Sequence, residues 1–392
     1  MEFALTPEQE QFAQEFRDYL IRTLPPEVRE EANSGRVMHK SDAYKEFIRR
    51  MGADGWLGVG WPREYGGQGR SVMEQHIFYE AIWARRAPFP VLTLNAVGPT
   101  IMKFGSEEQK KEFLPRILKG DLEIAIGYTE PDAGTDLASL KTIAVKDGDS
   151  YVINGNKVFT SIVHFADYLW VAVRTDPDPK KKHKGLSVLL IDVDTPGITI
   201  DPIYTLGGHR VNSVYLKNVV VPRTCLVGEE NKGWGLIVGQ LEHERFSLSP
   251  SSPMRRRIEE TIEWAKETQV DGGPVIDHPG VREKLAELLA EVDVLKLLNY
   301  QVVDNMTKGK MFWAESSAVK VFGSELNIRI NNTLLDIMGL YGQLRQGDER
   351  APLNGLVESH FRDDLFFVFG GGANEIQRDI IAMVGLGLPK SR

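Results

Sequence analysis

Apolar positions near the start of the chain recur at helical spacing: Phe12, Phe16, Tyr19 and Leu20 share one face of a segment that opens Thr6-Pro7-Glu8-Gln9. Thr6 suits a helix cap, Pro7 the first helical position and Gln9 the reciprocal place in a capping box. Helical patterning, broken by glycine-rich turns such as Tyr65–Gly69, continues to about residue 120 and predicts an all-helical domain over 1–120. From 121 to 233 the period shortens. In TIAVKDGDSYVINGNKVFTS the pairs Asp147-Gly148 and Asn154-Gly155 lie between short β-branched runs, a hairpin signature at each. DYLWVAV (167–173) and GLSVLLIDV (185–193) read as further strands of a middle antiparallel β domain. The lysines of DPDPKKKHK (176–184) fit a solvated hairpin loop better than a basic binding patch. After Gly233, four long helical segments near 234–268, 280–308, 311–341 and from about 374 predict a four-helix bundle over 234–392. The expected fold class is a multidomain α+β protein: helical, β, helical.

Composition narrows the function. At 392 residues the chain is too long for one ordinary core. A formal charge of -8 without an aromatic-interleaved basic patch argues against nucleic acid as a partner. No apolar run reaches the roughly 18 residues of a membrane span. MEFALTPEQEQF lacks the basic start and apolar core of a secretory signal, and Cys225 alone allows no internal disulfide, so the cytoplasm is the expected compartment. The sequence has no Walker A run, no G-x-G-x-x-G between strand and helix, no G-x-S-x-G elbow and no metal-ligand spacing among its eight histidines. No metal is expected, and a redox cofactor must be held by some other fold.

The segment GYTEPDAGTDLASL (127–140) is the most informative. Thr129 and Thr135 offer hydroxyls, and Gly134 lets a ligand approach the backbone. YTEPDAGTD resembles the T-E-P-x-A-G-S/T-D signature of acyl-CoA dehydrogenases; GNKVFTS (155–161) resembles that family's G-x-K-x-W-I-T/S segment, and NEIQR (374–378) its closing N-E-I-Q-R. The likeness runs over nearly the whole chain in the same order. It implies a flavin enzyme in which FAD accepts a hydride from the β-carbon of an acyl-CoA thioester while a carboxylate removes the α-proton, leaving a trans-2-enoyl-CoA. By the same resemblance Tyr128 and Thr129 touch the isoalloxazine edge, Ser161 bonds its reactive side, and Ile126 and Glu375 join the cofactor contacts. Gly134 and Thr135 lie by the pyrophosphate and the CoA arm. Phe159 stands where the family usually has tryptophan and would stack on the flavin; a plain core aromatic is its alternative.

Most of the family carries its base in Y-E-G-T just before the closing motif. Here Gly370, Gly371, Gly372 and Ala373 fall on those four positions, so the usual glutamate is missing. One branch, including isovaleryl-CoA and long-chain enzymes, places the base on the first long helix of the C-terminal bundle, directly before an arginine. That position is Glu244, with Arg245 facing the CoA phosphates. Glu242 is turned about 200° away on a helix, and a surface charge pair is the alternative role for Glu244 and Arg245. Gly371 keeps the backbone N–H that, in the family, bonds the thioester carbonyl.

Relatives that form homo-oligomers complete each FAD with an R-x-x-F-G and a Q-x-x-G-G motif from a neighbouring subunit. Here the arginine and phenylalanine positions align with Thr268 and Asp271, and the glutamine and second-glycine positions with Asp336 and Leu340. An acid in place of a cation or amide repels a pyrophosphate. The pattern resembles the base-bearing subunit of the α2β2 acyl-CoA dehydrogenases of actinobacterial steroid side-chain degradation. It implies a related partner subunit and electron-transfer flavoprotein as acceptor. The alternatives are a medium- or branched-chain dehydrogenase, an oxidase-like flavoenzyme and a non-catalytic structural subunit. SLSPSSP (247–253) is read either as room for a bulky substrate or as a helix break.

Overall fold

A computed structural model describes residues 4–33, 40–245, 249–270, 272–310 and 312–389, with the side chains of 32, 33, 179 and 242–245 outside that set. Six helices come first: α1 (Pro7–Thr23), α2 (Pro26–Asn33), α3 (Asp42–Ala53), α4 (Val72–Arg85), α5 (Gly98–Phe104) and α6 (Glu107–Leu118). Thr6, Ser71 and Ser106 each close a capping box at a helix start, so two orphan donors are satisfied at each one. A buried π-helical turn, Thr93–Val97, precedes α5.

The strands follow as β1 (Ile124–Gly127), β2 (Ile143–Asp147), β3 (Ser150–Ser161), β4 (Tyr168–Arg174), β5 (Leu186–Asp192), β6 (Ile198–Tyr204), β7 (Arg210–Pro222) and β8 (Leu226–Val227). They pair in the order β6-β7-β3-β2-β4-β5-β8, with β1 added parallel to β4. Asp147 and Ser150 face each other across a two-residue turn whose Gly148 has φ +56°, as the sequence led one to expect. Asn154-Gly155 makes no turn. It lies inside the continuous strand β3, at a register shift between Ile153 and Gly155. A Cβ at Gly155 would stand 2.7 Å from Thr142 Cα, so this glycine permits close approach of β3 to the start of β2 rather than reversing the chain.

The remaining elements are α7 (Gly233–Arg245), α8 (Ser252–Glu267), a minimal hairpin of β9 (Gln269–Val270) and β10 (Gly273–Pro274), α9 (Pro279–Thr307), α10 (Trp313–Met338), α11 (Leu356–Asp363) and α12 (Asn374–Ile380). The segment expected as one helix over 234–268 is two, because Pro253 belongs to the first turn of α8 and cannot continue α7. The closing segment is also shorter than its pattern suggests: α12 passes into a π-helical turn, Ile381–Gly385.

Three apolar clusters hold these parts. One joins the N-terminal helices to β1, β4 and β5 and takes in Leu236 and Ile237 of α7. A second fills the sheet, and a third lies among α8, α9 and α10. Because α7 shares its core with the N-terminal helices and the sheet, this helix is fixed relative to the loop that leaves β1.

Candidate active site

β1 ends at Gly127 and the chain enters Tyr128–Thr129–Glu130, which turns back on itself through paired backbone bonds between Glu130 and Ala133. Beyond the turn Gly134 is exposed. A Cβ there would touch only Thr129 Cγ2, at 3.8 Å, so this stretch of backbone stays open to a ligand. Thr135 is exposed beside it, and Ile126 is half-buried on β1.

The second segment lies on β3. Pairing with β7 breaks between Lys157 and Thr160, and at the break Val158 N–H donates instead to Thr129 O at 2.9 Å. Phe159 sits in this bulge with φ +57° and 61 % of its surface exposed. No other ring packs on it among the described residues. Ile162 also has φ +60°, and for a β-branched residue that is a genuine outlier. Ser161, exposed at the end of β3, thus lies between two strained residues. Phe159 is therefore no core aromatic.

Beneath these segments lies a buried polar layer that motif reading had not assigned. Lys157 is fully buried, and its Nζ donates to Glu130 Oε1 at 2.8 Å and to Tyr128 O at 3.2 Å. Glu130 also accepts from Lys141 N–H at 2.6 Å and Thr142 N–H at 2.9 Å. Burial pulls the Lys157 ammonium down to about 8, against the opposing pull of Glu130. Burial works to raise the Glu130 carboxyl, but Lys157 holds it below its usual range. Trp170 Nε1 donates to the Tyr128 hydroxyl at 2.9 Å, which leaves that hydroxyl to donate to Gln240 Oε1.

Gln240 belongs to α7, and four residues later on the same helical face comes Glu244. On the α7 backbone, position 244 is thus one turn beyond the residue bound to Tyr128. The side chains of Glu244 and Arg245 themselves lie outside the described residues.

The three glycines follow a 3-10 turn, Asp364–Val368. Gly371 and Gly372 have φ +66° and +101°, so the backbone there is left-handed, where a side chain is strained. Gly370 N–H donates to Phe366 O at 2.7 Å, whereas Gly371 N–H has no partner among the described residues. Lys320 of α10, 2 % exposed, donates to Gly372 O and Asn374 Oδ1, each at 2.7 Å. Glu375 is exposed in the first turn of α12. No direct hydrogen bond joins this turn to the Tyr128 segment among the described residues; the connection runs through α10, which packs on α7.

Of the positions aligned with cofactor-completing motifs, Thr268 caps the end of α8 and Asp336 is exposed near the end of α10, while Asp271 lies outside the described residues. Leu340, at the second-glycine position, is 84 % exposed, and Tyr341 beside it 58 %. Groups of histidine, cysteine and carboxylate able to hold a metal are not found among the described residues, nor is a helix long and apolar enough to cross a membrane.

An exposed, strained bulge on β3 beside the open loop after β1, in a sheet set between two helical regions, is the arrangement these residues share. The N-terminal, middle and C-terminal domains of acyl-CoA dehydrogenase match residues 6–121, 125–219 and 231–386. The chain belongs to the acyl-CoA dehydrogenase family, whose members are oxidoreductases and generally depend on FAD. It is 46 % identical to acyl-CoA dehydrogenase FadE26 of Mycobacterium tuberculosis, over 100 % of both chains, and 44 % identical to FadE29 of the same organism, over 98 % of both. Among solved structures it resembles a chain of the Tcur3481-Tcur3483 steroid acyl-CoA dehydrogenase, with TM-score 0.93 and 42 % identity over 100 % of both chains. It also resembles a chain of the ChsE4-ChsE5 complex from Mycobacterium tuberculosis, with TM-score 0.92 and 46 % identity, again over 100 % of both chains.

The residues present suit a flavin. Phe159 is a bare ring held out at a strained position, Gly134 is an open backbone, and Gly371 N–H has no partner among the described residues.

Proposed function

We propose that this chain is the base-bearing subunit of a heteromeric, cytoplasmic, FAD-dependent acyl-CoA dehydrogenase that converts a steroid side-chain CoA thioester to its trans-2-enoyl-CoA. Tyr128, Thr129, Phe159 and Ser161 would hold the flavin ring, with Ile126 and Glu375 as further contacts. Gly134 and Thr135 would lie by the pyrophosphate and CoA arm, and Arg245 by the CoA phosphates. Bound FAD supplies the hydride acceptor for the substrate β-carbon. Glu244 removes the α-proton as general base, a role worth roughly 10² to 10⁴-fold in rate. Gly371 N–H donates to the thioester oxygen as negative charge gathers there, in the manner of an oxyanion hole.

The observation that best supports this reading is the bond between Tyr128 and Gln240, because position 244 lies one turn beyond Gln240 on α7. The steroid substrate and the partner subunit rest on the likeness to chains whose solved complexes carry those descriptions. Degraded positions 268, 271, 336 and 340 add support, since a chain lacking those groups cannot complete a second copy's FAD. Electron-transfer flavoprotein is the acceptor in this reading.

The test is to express the chain alone and with a related subunit, and to assay both against steroid and straight-chain CoA esters. The reading requires flavin and turnover only in the mixed complex, with steroid esters preferred. Glu244→Gln should keep flavin and lose turnover. A yellow, active homo-oligomer, or near-native turnover by that variant, overturns it.

A further inference from the structure

Two chain segments would face the flavin edge, Tyr128–Thr129 after β1 and Phe159–Ser161 on β3, and sheet pairing does not hold them together. β1 pairs with β4, β3 leaves its β7 ladder at this point, and one backbone bond, Val158 N–H to Thr129 O, spans the gap. The firmer connection is the ion pair below it.

Lys157 and Glu130 are 0 % and 6 % exposed, and their bonds run to the Tyr128 segment and to the start of β2. Lys157, two residues before Phe159, reaches back to Tyr128 O and to the Glu130 carboxylate. Glu130, next to Thr129, reaches forward to the Lys141 and Thr142 amides, where β2 begins. Glu130 is the one charged side chain acting on Lys157 among the described residues, and burial costs the ammonium more than this partner returns. For stability alone, an apolar pair of similar volume would do as well. What an apolar pair cannot supply is direction: five hydrogen bonds, counting Val158, set the height of Tyr128 against the Phe159 bulge.

We propose that Lys157 and Glu130 are positioning residues for the flavin-edge site, a buried ionic staple that fixes Tyr128–Thr129 relative to Phe159–Ser161. This rests on the FAD reading above for its consequence, though not for its geometry. The staple holds the bulge open in the ligand-free protein, so that Phe159 pays its backbone strain during folding and not on each binding event.

The test compares Lys157→Met, Lys157→Arg and Glu130→Gln in the full-length chain within its flavin-binding assembly. FAD dissociation is followed by flavin fluorescence, and the Val158 amide by hydrogen exchange in the flavin-free protein. Lys157→Met and Glu130→Gln should weaken FAD by at least about tenfold, flatten the fine structure of the flavin absorption band near 450 nm, and speed exchange at Val158 more than at the β4–β5 ladder. Lys157→Arg, which keeps charge and donors, should recover most of the affinity. FAD affinity within twofold of the wild type in both charge-removing variants overturns the proposal. So does faster exchange spread evenly over the sheet, which is the signature of a stabilising pair without a positioning role. If the wild-type assembly takes no flavin, the FAD reading fails, and exchange at Val158 alone still decides whether the staple exists.

Discussion

The ammonium of Lys320 lies 2.7 Å from the carbonyl oxygen of Gly372, buried between α10 and the turn that precedes α12. A second bond of the same length runs from Lys320 to Asn374 Oδ1, and Asn374 is held in turn by Ser324 Oγ at 3.0 Å. A run of three glycines has no side chains with which to anchor itself. Lys320 supplies the anchor from the neighbouring helix, and it grips the Gly372–Ala373 peptide, two units beyond the one that carries the Gly371 N–H.

Lys320→Met removes both charge-assisted bonds, each worth roughly 1.5–3 kcal/mol when its partner is left buried. Turnover should fall by about 10 to 100-fold because Gly371 N–H loses its fixed direction, while flavin content stays close to wild type. Steady-state kinetics alongside absorbance at 450 nm would check this. Unchanged kcat with a lowered melting temperature would mean that Lys320 serves the bundle and not the turn.

The glycines at 371 and 372 are required by backbone geometry as well as by the space they leave. Restoring the family's usual glutamate through Gly371→Glu should not rescue Glu244→Gln, because φ at 371 is +66° and a side chain there costs roughly 1–2 kcal/mol. Gly372→Ala should be worse for stability, with φ +101° and a Cβ only 2.6 Å from Gln377 Nε2. Thermal unfolding of the two single variants and an activity assay of the double variant give the comparison. Recovery of turnover in the double variant would show that this turn still accepts a base.

Tyr128→Phe breaks the chain that runs from Trp170 Nε1 through the hydroxyl to Gln240 Oε1. Two buried polar groups then lose their partner, at roughly 1–3 kcal/mol each. Because Gln240 lies one turn before Glu244, the loss should also reach this proposed base: kcat falls more than acyl-CoA affinity does, and the acid limb of the kcat–pH profile shifts. A variant that loses stability but keeps the wild-type profile would separate Gln240 from the proton transfer.

Local chemistry made some of this architecture readable in advance. Thr6, Pro7 and Gln9 act within one helical turn, and the capping box they foretell is present. Asn154-Gly155 carries the same kind of local signal as Asp147-Gly148, yet only the second is a turn; Gly155 answers to Thr142, a packing demand that no window around 154 contains. Motifs placed Phe159 and Tyr128 at a candidate site, but the groups that hold them were invisible. Gln240 and Tyr128 are 112 positions apart, and Lys320 and Gly372 are 52 apart. A buried lysine reads as surface charge until the fold encloses it.

Acid should unfold the C-terminal bundle through one cluster. Arg257 donates to the Asp364 carboxylate at 3.0 Å, Asn331 donates to the same oxygen at 2.9 Å, and His360 Nδ1 lies 3.4 Å from the other. Burial works to raise the Asp364 carboxyl, but Arg257 and the surrounding donors hold it well below the usual carboxylate range. Burial, reinforced by Arg257, pushes the His360 imidazole below its ordinary value, so it stays neutral when folded. Both groups bind fewer protons folded than unfolded, and stability therefore falls as pH falls. The His360 contribution is intact above about pH 6.5 and is lost below it; that of Asp364 is intact above about pH 4 and is lost below that. Melting temperatures from pH 7.5 down to 3.5 should decline in these two stages. Asp364→Asn should be less stable at neutral pH by roughly 3–5 kcal/mol, since it leaves Arg257 buried without its carboxylate, and should show a flatter decline below pH 4. An Asp364→Asn protein whose melting temperature tracks the wild-type slope below pH 4 would place acid sensitivity elsewhere in the chain.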